Sequence, residues 1–146
     1  MSNALVVGEL LTALEAAVTT AFGSGVTISE DMPRTLVVPP AVVISWKEVA
    51  ISFDGIGASM VNPAQKYSFE IYCRFPFPGN QTYPLSRLKA DQASLLIAQL
   101  QNGPTFAGFG MLPLVTSVLS HESDPPQERI YDFTVTFECL VSVDHH

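Results

Sequence analysis

Residues Arg129–Val143 read RIYDFTVTFECLVSV. Tyr131, Phe133, Val135, Phe137, Cys139, Val141 and Val143 alternate there with Asp132, Thr134, Thr136, Glu138 and Ser142, and Leu140 alone breaks the order. Successive side chains of a strand point to opposite faces, so this stretch is a strand with one side turned to a core. Its predicted span, Glu128 to Val143, is well above the usual strand length of about five or six residues. Upstream, Leu114–Ser123 supplies a partner arm, and Asp124-Pro125-Pro126-Gln127 supplies the turn of a long C-terminal β-hairpin. A second run, KYSFEIYCRF at Lys66–Phe75, alternates just as strictly. Tyr67, Phe69, Ile71, Cys73 and Phe75 share one side, and Lys66, Ser68, Glu70, Tyr72 and Arg74 the other.

Working outward, two amphipathic helices flank these strands. In the first, from Ala4 to Phe22, apolar residues fall at Val7, Leu10, Leu11, Leu14, Val18, Ala21 and Phe22, which is helical spacing. Ser2 or Asn3 is placed to cap its start, and Gly23 and Gly25 to end it. The second spans Ser86 to Gln101, with Leu88, Leu95, Leu96 and Leu100 as its stripe, Ser86 as cap and Asn102-Gly103-Pro104 as its stop. Between them, Val26–Ser29 is a short strand and Pro39-Pro40 breaks the chain. Ala41–Trp46 is a buried strand whose Trp46 belongs to the core. Val49–Phe53 either extends that strand or returns beside it. Such a mixture predicts an α+β fold: a mostly antiparallel β-sheet of four or more strands with both helices packed on it. No linker or repeat divides the 146 residues, so the expectation is one domain over 1–146.

Composition narrows the function. Apolar residues make up 47% of the chain and charged ones only 14%, against about 25% charged in an average chain. A surface so poor in charge fits one partly covered by a partner. The net charge of -7 and the scatter of the seven Lys and Arg disfavour binding to nucleic acid or to an anionic membrane. Met1-Ser2-Asn3 carries no positive charge ahead of the apolar run, so no signal peptide is expected. Polar residues interrupt that run, so it is no membrane span.

Chemistry finds no foothold. His121, His145 and His146 lie in no metal-ligand spacing and are expected in solvent. Cys73 and Cys139 both fall on the apolar side of a predicted strand, so they are expected to be reduced and buried, not nucleophilic. Gly55–Ser59 opens no helix and cradles no phosphate. Of the carboxylates, Glu30-Asp31 and the group Glu122, Asp124 and Glu128 are expected in solvent. What resists a bland reading is a set of large apolar residues in predicted loops: Phe77, Tyr83, Phe106, Phe109 and Met111. Loop aromatics either fold back into the core or meet a partner, and these five are the interface candidates.

In order, these elements are a capped helix, a short strand, LVVPPAVVISW, KYSFEIYCRF, the helix RLKADQASLLIAQLQNG and the closing hairpin ending RIYDFTVTFECLVSV. That layout resembles the tail terminator, or tail-completion, proteins of long-tailed bacteriophages over nearly the whole chain. The resemblance implies a structural virion protein at the tail–head junction, assembled in the bacterial host cytoplasm and active as no enzyme. It implies a homo-oligomeric ring, a hexamer, that ends the tail tube, meets the tube protein and the head–tail connector, and uses no cofactor. DNA would be passing cargo only, and an acidic ring would keep it sliding. Two other readings stand beside this one: another ring-forming neck protein (head closure or connector), and a non-viral α+β domain that binds a small ligand in a polar-lined pocket.

Overall fold

A computed structural model describes residues 6–31, 38–52, 64–76, 85–102, 112–121 and 130–142. In chain order the elements are α1 (Val7–Phe22), β1 (Thr27–Glu30), β2 (Ala41–Ser52), β3 (Ala64–Pro76), α2 (Leu85–Asn102), β4 (Leu112–Ser120) and β5 (Ile130–Ser142). The strands form one five-stranded sheet in the order β1-β2-β3-β5-β4. β1 runs parallel to the first residues of β2, and the other described pairings are antiparallel. The expected α+β architecture is the observed one.

β3 lies at the centre because both of its neighbours match it along its length. Phe69 faces Phe137, Ile71 faces Val135 and Cys73 faces Phe133 across the β3–β5 ladder. The alternation read from the sequence is therefore a single apolar surface. Tyr67, Phe69, Ile71, Phe133, Val135 and Phe137 are all buried on it. Both helices cover that surface: α1 packs on β2, α2 packs on β4 and β5, and the helices touch each other. Leu10, Leu14 and Val18 of α1 and Ala93, Leu96 and Leu100 of α2 enter the same core. Val49–Ser52 extends β2 and does not return beside it, and the register slips at Lys47 between Trp46 and Glu48. Such a bulge re-aims the strand without ending it.

Several local expectations need correction. α1 begins at Val7 after Val6, which makes no side-chain cap bond; Ser2 and Asn3 lie outside the described residues. The Val6 N–H instead donates to the Tyr67 hydroxyl at 3.0 Å, and that hydroxyl donates to the buried Gln65 Oε1 at 2.6 Å. Gly23 does end the helix, at φ 86°, where a Cβ would be strained. Ser86 lies inside α2 and does not cap it, because the helix starts at Leu85. Leu95 is exposed. The buried row of α2 is Lys89, Ala93, Leu96 and Leu100, and Leu95 sits one residue, about 100°, away from it. Trp46 is 39% exposed and not part of the core. It lies two positions past Ile44, where the β1 ladder ends, and just before the bulge.

Candidate functional site

The thiols are core groups. Cys73 and Cys139 are free and buried. Burial raises the Cys73 thiol far above its ordinary range. It pushes Cys139 up to about 12, with the Glu138 charge adding to the effect. A thiol held neutral in this way is a poor nucleophile and a poor metal ligand. Among the described residues no three His, Cys, Asp or Glu side chains come together as a metal site. No described helix is long and apolar enough to cross a membrane.

On the sheet face opposite the helices, a polar cluster joins the ends of β3, β4 and β5. The Tyr72 hydroxyl donates to Asp132 Oδ2. The His121 ring meets the Tyr72 ring edge-on, with centroids 5.8 Å apart, and its Nε2 lies 2.7 Å from Thr134 Oγ1. His121 is thus half-buried and partnered, not the solvated histidine expected from the sequence. Behind it, Lys89 reaches from α2 and donates to Ser120 Oγ at 2.8 Å and to the His121 carbonyl at 2.6 Å. Lys89 thus ties the end of β4 to α2, and the contacts of Tyr72 with Asp132 and of His121 with Thr134 join β3, β4 and β5 at that end. Sequence reasoning passed over Lys89 because a lysine in a helix is normally solvated. Its place in the apolar row, four residues before Ala93 and seven before Leu96, was the available signal.

A shallow hollow of about 280 Å³ opens on the same face, lined by Lys66, Pro113, Leu114, Glu138, Cys139 and Leu140. Leu140, the residue that broke the alternation, lines it. Small-ligand sites run from about 300 Å³ upward and converge several polar groups, and this mostly apolar hollow does neither.

What remains is surface suited to another protein. Leu114, Val118 and Leu119 on β4 are all exposed, as are Trp46 and Ile51 on β2. β4 and β1 are the two edges of the sheet. An edge strand presents unpaired backbone groups and is a template for further pairing. The five interface candidates, Phe77, Tyr83, Phe106, Phe109 and Met111, all lie outside the described residues. The exposed residues of β4 were missed because their neighbours could not be told apart from a core strand without the sheet order.

At Glu30, beside the β1 edge, what burial it has, the Glu15 carboxyl hydrogen-bonded to it, and the nearby Glu15 and Asp31 charges all raise its carboxyl above the usual range. These groups are mostly in solvent, as expected for Glu30-Asp31.

No known protein family and no curated protein matches the sequence. Solved structures share the fold. A chain in the virion of a native gene transfer agent (GTA) particle aligns with a TM-score of 0.51 and 14% identity, over 97% of this chain and 99% of that one. The sheath/tube terminator of an extracellular contractile injection system (PVC), in its extended state, aligns with a TM-score of 0.51 and 16% identity, over 98% of this chain. This chain spans 58% of that terminator's length. The resemblance read from the order of elements is thus met at the level of the fold.

Proposed function

We propose that this chain is a structural, non-enzymatic virion protein: a ring, a hexamer, that ends the tube of a phage tail or tail-like particle and joins it to the head connector. One observation carries the reading: nearly the whole of this chain shares its fold with part of a sheath/tube terminator and with a virion chain of equal extent. Three features support it. The thiols are inert, the polar cluster ties the end of β4 to α2, and exposed apolar residues gather on strands at or next to the sheet edges. A net charge of -7 per chain suits a conduit that DNA must pass through without sticking.

Imaging of labelled particles tests this. The chain is expected as a ring at the head-proximal end of the tube. Particles made without it are expected to carry tubes of irregular length that fail to join heads. Tubes of normal length, joined normally in its absence, would refute the proposal. A label on the head side of the junction would instead place the chain among the head-closure or connector components.

A further inference from the structure

Hydrogen bonds at the two sheet edges fix which backbone groups point outward. On β4, the His121 N–H donates to the Asp132 carbonyl at 3.3 Å. Peptide groups alternate along an antiparallel ladder, so Leu119 and Ser117 also bond toward β5, while Val118 and Ser120 face away. On β1, the Thr27 N–H donates to the Pro40 carbonyl at 3.1 Å and the Asp31 N–H to the Ile44 carbonyl at 3.3 Å. Thr27, Ser29 and Asp31 therefore bond toward β2, and Ile28 and Glu30 face away. The other half of β4 is closed. Pro113 has no N–H, and the Val115 N–H is held by Gln101 Oε1 of α2 at 2.8 Å.

Among the described residues no strand pairs with these two outward segments, and they lie at one height. Glu30 pairs with Ile44, Ile44 with Ile71, Ile71 with Val135, and Val135 with Val118. They also run in opposite directions, since β1 is parallel to β2 and β4 is antiparallel to it through three antiparallel steps. Two copies placed side by side, related by rotation about an axis along the strands, bring β4 of one against β1 of the next in the antiparallel sense. Charge agrees with this placement. The flank formed by α1, β1 and Asp31 carries Glu9, Glu15, Glu30 and Asp31 and no Lys or Arg. On the opposite flank α2 carries Arg87 and Asp91, Lys89 being buried and bound to Ser120 and the His121 carbonyl, and β4 has no charged residue, so no acidic cluster meets those carboxylates there. Val118 and Leu119, exposed by 45% and 58%, mark the open half as apolar surface.

We propose that copies of this chain join edge to edge, Val118–Ser120 of β4 in one copy pairing with Ile28–Glu30 of β1 in the next, so that the sheets run on around a closed ring. The contact uses two different patches of one chain, which is what ring closure requires. The inference rests on the self-assembling reading above and adds the contact itself. In the paired register Leu119 stands opposite Ser29. Both bond inward, so they form the close, non-hydrogen-bonded kind of pair, with Cα atoms about 4.5 Å apart.

A cross-link tests it on the full chain, since the native thiols are buried and inert. The Ser29→Cys/Leu119→Cys double variant, mildly oxidised, is expected to give a covalent ladder of oligomers, while neither single variant does. Val118→Pro removes an outward N–H that the β5 ladder does not use. It is expected to keep its circular dichroism and to weaken association by about tenfold or more. A dimer cross-linked through Leu119→Cys alone would show two-fold pairing of β4 with itself and overturn the proposal. Rings seen for the wild type without a ladder for the double variant would overturn this contact and leave the ring standing. A chain monomeric at every concentration, with no ladder, would refute both.

Discussion

Replacing both thiols should change how stability depends on pH. Cys73 and Cys139 ionise near 9.0 when unshielded, and burial raises both, Cys139 to about 12. The folded state therefore keeps two protons that the unfolded chain releases above pH 9. With a folded value above the unfolded one, the stabilisation is complete below pH 9 and is lost as pH climbs toward the folded values. Between pH 8 and pH 10 the loss is about 1.4 kcal/mol per thiol, about 2.7 kcal/mol for the pair. Burial likewise raises Tyr67 and Tyr131; Tyr131 titrates in wild type and variant alike and cancels in the difference, while Tyr67, to whose rise the Cys139 charge adds a smaller part after burial, differs between them by that part alone. The assay is urea unfolding of wild type and Cys73→Ala/Cys139→Ala across that range, with a phosphine reductant present. The variant should start less stable and close on the wild type by about 2.7 kcal/mol as pH rises. Parallel curves would mean that the thiols are not shielded when folded, and the reading of both as core would fail.

Lys89→Met keeps the aliphatic stem and removes the ammonium that holds Ser120 and the His121 carbonyl. Thermal or urea unfolding should show a loss of about 1.5–3 kcal/mol, the range for hydrogen bonds to a charged group; a change under about 0.5 kcal/mol would show that the cation adds nothing. If the segments 77–84 and 103–111 meet a neighbouring copy, Phe77→Asp or Phe109→Asp should weaken the ring by about 2 kcal/mol or more while the monomer melts as before. Sedimentation at graded concentration reads this directly, and normal assembly of both variants would remove those residues from the contact.

The sequence carried the sheet more clearly than the helices, and the reason lies in how each is buried. Every second residue of β3 and β5 is packed, so the period of two is intact from Tyr67 to Phe75 and from Tyr131 to Cys139. α2 buries only a narrow row, and a lysine holds one of its places, so Leu95 was drawn into a stripe to which it does not belong. Val6, just before α1, bonds to Tyr67, 61 residues away, and nothing in the local sequence announces that contact. Trp46 looked like core because its neighbours are. Only the length of β1, four residues against twelve in β2, shows that the strand runs out from under its neighbour there. In the sequence the exposed apolar surface of β4 was legible only as residue types. Its place was not, because an edge is defined by strand order and not by composition.

A contact made by main-chain edges makes a demand on sequence different from that of a contact made by side-chain anchors. Every residue except proline has the same N–H and C=O, so a paired edge survives substitutions that keep the backbone extended and the inner face apolar. The two cases separate at neighbouring positions of β4. Leu119 is the more exposed side chain, at 58%, yet its backbone bonds inward. Val118 offers its N–H outward. If backbone pairing dominates, Leu119→Thr, which puts a polar but β-branched strand former there, should weaken self-association much less than Val118→Pro. If a side-chain anchor dominates, the order reverses and Leu119→Thr is the damaging change. Sedimentation of both variants at matched concentration, with circular dichroism to confirm the fold, decides between them; the reversed order would sink the backbone account even if a ring forms.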